Sequence, residues 1–345
     1  MKMLTLIGPM LSKRRGDKPS GRPVAFMDLL SHLDRLCIDY EAVDANRFNH
    51  VPVFGRPLSA AWVMSRASRY ASQGHVSFHG AGPGIAAIGG RLIKASARSG
   101  ATVSLRVFGG RFDTYFKGAS LTEQRRVRHV FSRASAVFLE TKYQVNFFQG
   151  MASNVFWFPN SRNAGSISVD PCRPYQRRFV FIGQLRPEKG ILEFIEVAER
   201  LGTGYTFDAY GPLMNGITEM SFARSTATYR GILGPEQVPS ALAQYDALVL
   251  PTAYEGEGYP GVIIEALSVG VPTIGSSQGG IPEIIVDGEC GLVVVPRSTQ
   301  SLLEAINRFE RLNLSEMRDQ AHSRFKLFDS REQYGMFLEK CGIFG

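Results

Sequence analysis

Short apolar runs rich in β-branched and aromatic residues alternate with helix-length amphipathic stretches along the whole chain. In the first half the strand candidates are MLTLIG (3–8), YEAVDA (40–45), HVSFHG (75–80), TVSLRVFG (102–109), AVFLET (136–141) and VFWFP (155–159). Helical spacing marks PVAFMDLLSHL (23–33), LSAAWVMSRASRYA (58–71) and LTEQRRVRHVFSRA (121–134). The second half repeats the scheme, with strands FVFIG (179–183), YTFDAY (205–210), ALVLPT (247–252), VPTIG (271–275) and GLVVV (291–295). Its helices include ILEFIEVAERL (191–201), VPSALAQY (238–245) and SLLEAINRFERL (301–312). Near-continuous apolar strands separated by amphipathic helices predict parallel sheets covered on both faces. Two such blocks predict an α/β protein with two Rossmann-like domains. The polar, aperiodic stretch NSRNAGSISVDPCRPYQRR (160–178) holds two prolines and reads as a linker. The expected division is a domain over 1–160, a linker over 161–178, a domain over 179–324 and a C-terminal helix over 325–345.

Length agrees with this division: 345 residues suit two domains of about 150 to 180 each. A hydrophobic content of 44% is enough for two cores, and no apolar run approaches the roughly 18 residues of a membrane span. The opening MKMLTLIGPM reads as a buried first strand and not as a signal peptide, because its apolar run breaks at Gly8-Pro9 without a small-residue cleavage site. Cys37, Cys172, Cys290 and Cys341 are scattered, which argues against a disulfide scaffold or a zinc site and for a reduced, cytoplasmic setting.

Charge adds something the pattern does not. Residues 1–178 hold 26 Lys and Arg against 10 Asp and Glu, a net +16, while residues 179–345 hold 13 against 21, a net −8. The sign changes at the proposed linker. A half-chain that basic is expected to meet an anionic partner.

In doubly wound sheets ligands sit beyond the carboxyl ends of the strands, so the loops after strands carry the chemistry. GQLRPEKG (183–190) places Arg186 and Lys189 beside Gly183 and Gly190 at a helix start, a setting for a diphosphate or simply a solvated turn. SSQGG (276–280) sets two hydroxyls and Gly279-Gly280 before a short helix near Ile281, a backbone nest of the kind that takes phosphate oxygens. Glu283 falls in that helix's first turn, where a carboxylate is also a good helix start. The loop TAYEGEGYPG (252–261) carries Glu257, and a helix from about Gly261 to Val269 carries Glu265. A carboxylate accepts two hydrogen bonds at once and suits a vicinal diol. Carboxylates beside N–H-rich turns fit a ligand with both sugar hydroxyls and a diphosphate, as nucleotide sugars have.

EGEGYPGVIIEAL, GVPTI and GGIPEIIVDGECGLVV, with FIGQLRPEKG and FDAYG upstream, resemble the donor-site signature of family 4 (group 1) retaining glycosyltransferases of the GT-B fold. The resemblance is dense over residues 179–312. It implies two Rossmann-like domains facing each other across a cleft, with the last helix crossing back to the N-terminal domain. It also implies that Glu257 approaches the transferred hexose and that Glu265 takes the ribose hydroxyls. Lys189 corresponds to the lysine that neutralises the diphosphate. Gly258, Tyr259, Pro260 and Gly261 let backbone amides approach the donor, and Gly8 corresponds to the N-terminal glycine loop. Two positions depart from the family pattern. Gln184 stands where Gly-Arg is common, leaving Arg186 to supply the charge. The family's strand-end histidine falls on Phe108, leaving His79 as the nearest candidate for related work, or as a strand-end histidine bonded to backbone. Glu255 lies outside the spacing and reads as a loop residue.

The resemblance implies front-face transfer, in which the leaving diphosphate accepts the acceptor's proton and Arg186 and Lys189 stabilise its charge. The chain has no Asp-x-Asp, which fits metal independence, and no separate cofactor is implied. KRRG (13–16) and RRVRH (125–129), with Arg133, suggest peripheral binding to an anionic inner-leaflet surface and a lipid-diphosphate-linked acceptor; single charge runs are otherwise solvated faces. A paired-carboxylate hydrolase and a GT-B epimerase are weaker uses of the same residues. A nucleic-acid binder lacks a reader motif. Phe325, Phe328, Tyr334 and Phe337 are expected to be packing residues of the last helix.

Overall fold

A computed structural model of the chain describes residues 4–11, 21–48, 54–71, 74–165 and 167–343. The chain forms two compact units, Met1–Asn160 with Ser330–Gly345, and Ser161–Asp329. KRRG (13–16) lies outside the described residues.

The first unit runs β1 (Leu4–Gly8), α1 (Gly21–Arg35), β2 (Tyr40–Asp44), α2 (Gly55–Ser65), α3 (Ala67–Tyr70), β3 (His75–Gly80) and α4 (Pro83–Ser96). It continues through β4 (Thr102–Val107), α5 (Phe112–Gly118), α6 (Leu121–Arg133), β5 (Ala136–Leu139), α7 (Lys142–Gln149) and β6 (Val155–Trp157). Among the described residues its strands form one parallel sheet in the order β2-β1-β3-β4-β5-β6. The two-residue alternation of a strand sends its side chains to opposite faces. Leu4 and Leu6 of β1, with Ala136 and Phe138 of β5, enter one core with α1. Ile7, Val137 and Leu139 enter the other, with residues of α2 to α7.

The segment 58–71 was expected as one helix and is two, interrupted at Arg66, whose φ of −106° and ψ of 3° leave the helical region. Helix α4 was not anticipated. Its Gly84, Gly89 and Gly90 weaken helix propensity, but Gly89 is where the helix comes close to Leu105 and Val130.

The second unit runs β7 (Arg178–Ile182), α8 (Ile191–Leu201), β8 (Thr206–Tyr210), β9 (Ala227–Tyr229), α9 (Val238–Leu242), β10 (Ala247–Leu250) and α10 (Gly261–Ser268). It ends with β11 (Thr273–Ser276), α11 (Ile281–Ile284), β12 (Gly291–Val294), α12 (Thr299–Phe309) and α13 (Leu314–Phe325). The parallel order is β12-β11-β10-β7-β8-β9. From β7 the chain winds outward through β8 and β9, then returns to β10 on the other side and winds the opposite way. That reversal makes a crevice at the carboxyl ends of β7 and β10.

The stretch 161–178, read from sequence as the linker, belongs to the second unit and is tied to it through Asp246. Buried Asp246 accepts the backbone N–H groups of Gln176 and Arg178 at 2.9 and 3.0 Å. Arg318 of α13 pairs with Asp246 at 2.9 Å and donates to the carbonyls of Pro171 and Arg173 at 3.1 and 2.6 Å. A buried ion pair is stable only when its remaining hydrogen-bonding capacity is met, and this stretch of backbone meets much of it.

The return to the first unit starts at Ser330, not at 325. Phe325 and Phe328 stay in the second unit, while helix α14 (Ser330–Lys340) brings Tyr334 and Phe337 into the first unit's core. The ring of Phe337 lies 5.0 Å from Phe138 and 5.4 Å from Phe158. Burying a side chain of this size contributes about 1.5–3 kcal/mol, so α14 is held as part of that core.

Candidate nucleotide-sugar site

The site is built by the loops that leave β7 and β10. After β7 the chain turns through a 3₁₀ segment, Pro187–Lys189, and reaches Gly190 with φ of 85°. A Cβ there would lie 2.5 Å from the carbonyl oxygen of Pro251. Glycine alone meets both the left-handed conformation and the close approach, and the result brings Lys189 beside the loop that follows β10. Lys189 Nζ donates to Glu257 Oε2 at 2.5 Å, with the two side chains 16% and 8% exposed. Thr252 Oγ1, wholly buried, lies 3.0 Å from the same carboxylate oxygen. Charges this withdrawn from water interact more strongly than surface pairs, so the cluster is held firmly in place.

Tyr254 packs against both cations. The Arg186 guanidinium lies 4.6 Å from its ring centroid and Lys189 Nζ 5.1 Å. The Nε of Arg186 is buried and has no hydrogen-bond partner among the described residues. Gln184 is exposed. Lys189 thus pairs with the Glu257 carboxylate, and Arg186 shares the Tyr254 ring with it.

The loop after β11 closes against this cluster. Gly279 has φ of 58°, and a Cβ there would collide with the carbonyl oxygen of Glu257. Gly280 caps α11 just before its first residue, and a Cβ there would meet the Tyr259 ring and, at 2.8 Å, the carbonyl oxygen of Gly258. The two glycine turns thus touch backbone to backbone. Pro260 caps α10, whose first residue is Gly261. Glu265, on that helix, pairs with Arg162, Nε to Oε1 at 2.6 Å.

Tyr259, expected in the binding loop, is 2% exposed. Its hydroxyl donates to Glu283 Oε2 at 2.5 Å and its ring meets Phe328 edge-on at 5.8 Å. Its side chain therefore fixes the loop. The Glu283 carboxylate is likewise engaged in holding α11 to that loop, and Glu255 is exposed. Gly183 directly follows β7 and donates its N–H to the carbonyl of Tyr210 at 3.0 Å.

The first unit's candidates lie in a core. A Cβ on Gly8 would run into the Phe26 ring. His79, 1% exposed, is packed among Phe26, Phe108 and Phe337 at 5.0, 6.2 and 5.7 Å, and its Nε2 lies 3.0 Å from Ser77 Oγ. Burial, reinforced by the nearby Arg106 and then His75, holds its pKa well below the ordinary 6.5. His79 is thus enclosed as a packing group, and its hydrogen bond goes to the Ser77 side chain, not to backbone as the strand-end alternative had it. Phe108, in the family's histidine position, is buried beside it, with the Arg106 guanidinium 4.7 Å from its ring.

Sequence reasoning missed Thr252, Tyr254 and Arg162. Thr252 and Tyr254 had a usable signal, since they follow the strand that borders the topological reversal. Arg162 had none, because it lies 103 positions from Glu265.

Solved structures share this architecture over the full chain. The Anabaena protein HepE in complex with UDP superposes with a TM-score of 0.71 at 16% identity, covering 100% of both chains. Sucrose-phosphate synthase from Thermosynechococcus elongatus gives 0.73 at 14% identity, covering 98% of both. The fold is GT-B. Residues 176–311, all within the second unit, match the family model described as Glycosyl transferases group 1. A putative teichuronic acid biosynthesis glycosyltransferase, TuaC of Bacillus subtilis, is 37% identical over 142 residues, which is 39% of this chain and 33% of that one. The chain spans about a third of the length of the curated relatives it matches.

Proposed function

We propose that the protein is a retaining glycosyltransferase that moves a hexose from a nucleotide-diphosphate sugar to a glycan or lipid-linked acceptor in bacterial surface polysaccharide biosynthesis. The observation that carries this reading is the buried Lys189–Glu257 pair at the topological reversal, bordered by Arg186 and by touching glycine turns. An ammonium and a guanidinium suit a diphosphate, and a carboxylate beside them suits sugar hydroxyls. In this reading Glu257 faces the hexose, Glu265 takes the ribose hydroxyls, and Lys189 and Arg186 balance charge on the leaving diphosphate. The diphosphate accepts the proton of the acceptor hydroxyl as the glycosidic bond forms, and Lys189 and Arg186 are the groups placed to balance its charge in a metal-independent, cofactor-free reading. UDP is the first nucleotide to test, because HepE was crystallised with it. The relationship to TuaC supports a surface polysaccharide as product.

The acceptor reading rests on α6. Its Arg125, Arg126, Arg128 and Arg133 are exposed, while Val127, Val130 and Phe131 are buried. Arg91 and Lys94 are exposed on the neighbouring α4. Among the described residues no helix is long and apolar enough to cross a membrane. A basic face of this kind supports peripheral binding to an anionic inner-leaflet surface from the cytoplasm, near a lipid-diphosphate-linked acceptor.

Thermal-shift measurements with UDP, GDP and ADP, alone and as nucleotide sugars, test the donor reading. One nucleotide is expected to raise the melting temperature, since a ligand at 100 times its Kd stabilises by about 2.7 kcal/mol. No response to any of them would sink it. Proton NMR of the transferred sugar then reads retention or inversion directly.

A further inference from the structure

Arg162 is the second residue of the second unit, and Asp329 is the last. The backbone N–H of Arg162 donates to the carbonyl of Phe328 at 3.0 Å, and Arg162 forms a parallel bridge with Asp329. The points where the chain enters and leaves the unit are therefore tied together, and the base of the Arg162 side chain is fixed by main-chain bonds. From that base the guanidinium reaches α10. Its Nε donates to Glu265 Oε1 at 2.6 Å, with the side chains 14% and 19% exposed. It also lies across the helix start so closely that a Cβ on Gly261 would collide with it. A cation at a helix N-terminus is opposed by the helix dipole, and the Glu265 carboxylate offsets it, while Arg162 Nη1 also donates to the carbonyl of Ser161 at 2.9 Å. Among the described residues Glu265 Oε2 accepts no hydrogen bond.

We propose that Arg162 is a positioning residue for nucleotide recognition: it locks Glu265 through Oε1, leaving Oε2 aimed for the ribose hydroxyls, and ties that recognition to the junction of the chain's two passages. The inference rests on the reading of Glu265 as the ribose acceptor. A carboxylate held by a charge-assisted hydrogen bond is restricted in rotation before the ligand arrives. Without Arg162 it would be free to turn towards water, and binding would have to order it.

Isothermal titration with UDP, GDP and ADP and with their 2′,3′-dideoxy counterparts tests this on the wild-type chain, Arg162→Ala, Arg162→Lys, Glu265→Gln and the Arg162→Ala/Glu265→Gln double variant. The wild type should prefer the ribonucleotide by roughly 10- to 100-fold, the worth of hydrogen bonds to a charged group. Arg162→Ala should lose most of that preference while its affinity for the dideoxy compound stays near wild type. The double variant should bind no more weakly than Glu265→Gln alone. Arg162→Lys keeps the charge without the planar fork and should fall between; it carries the same comparison if the alanine variant does not fold. Equal weakening of both compounds would show a merely structural role and overturn the inference, as would a wild type that binds both equally. A wild type that binds none of the nucleotides would overturn the proposed function and this inference together.

Discussion

Lys189 Nζ lies 2.5 Å from Glu257 Oε2, joining the loops after β7 and β10 across 68 positions of sequence. The group expected on the diphosphate and the group expected on the sugar are partners before any ligand arrives. An incoming diphosphate would have to share the ammonium with the carboxylate.

Removing one partner of a poorly hydrated pair leaves the other uncompensated. Lys189→Met should therefore destabilise the second unit, by about 1–3 kcal/mol given residual exposure, and lower turnover by about 10²-fold or more. Lys189→Met combined with Glu257→Gln should regain part of the stability and none of the turnover. Urea melts and initial rates on the four members of the cycle separate the two effects; a double variant that melts lower than Lys189→Met would contradict the pairing.

Gly279→Ala brings a methyl group onto the carbonyl oxygen of Glu257 at a residue with φ of 58°. A strained left-handed residue costs about 1–3 kcal/mol, and here the collision also pushes two turns apart. Lower stability together with a raised KM for the donor is expected. The neighbouring Gly256→Ala instead meets the Tyr254 ring, a partly exposed side chain that can swing away, and should be milder. Comparable melting temperatures for the two variants would argue against rigid turn contact.

His79 gives the first unit a pH signature. The unfolded chain takes up a proton as pH falls through 6.5, whereas the buried imidazole stays neutral to well below that. Below pH 6.5 the unfolded state thus binds more protons, and stability falls as pH falls. Above 6.5 both states are neutral and His79 adds no slope. His79→Phe should flatten the acid limb between pH 6.5 and 5 by up to about 1.4 kcal/mol per pH unit. Denaturant melts at several pH values read this, and an unchanged slope would mean that His79 is protonated in the fold.

Charge reversal on α6 tests the membrane reading. Arg125→Glu with Arg126→Glu should abolish flotation with anionic liposomes at low salt, since each cation near such a surface contributes about 1 kcal/mol. Both positions are exposed, so donor binding should be unchanged. Wild-type protein that fails to float at low salt would remove the anionic surface as a partner.

Much of the fold was legible because strands and helices impose periods that a chain must write into its sequence. FVFIG (179–183) predicted β7 (Arg178–Ile182) within one residue at each end, and ILEFIEVAERL predicted α8 to the residue. Short β9 escaped notice, since three residues carry no period. At the site, Glu257, Lys189 and Arg186 were visible through glycine turns after strands. Thr252 and Tyr254 were signalled only by following the strand at the topological reversal, because a threonine or tyrosine in a loop has no distinctive spacing of its own. His79 looked available at a strand end, and only packing from α1 and α14 encloses it.

By itself the sequence determined two alternating β/α blocks, the glycine turns and the carboxylates and cations that follow particular strands, since these follow from local periodicity and backbone sterics. Tertiary structure alone decided the pairings: Lys189 with Glu257, Arg162 with Glu265, and Asp246 with Arg318. Each joins side chains 68 to 103 positions apart. Such contacts depend on strand order and loop approach, and a charged residue in sequence carries no record of the partner that burial will force upon it.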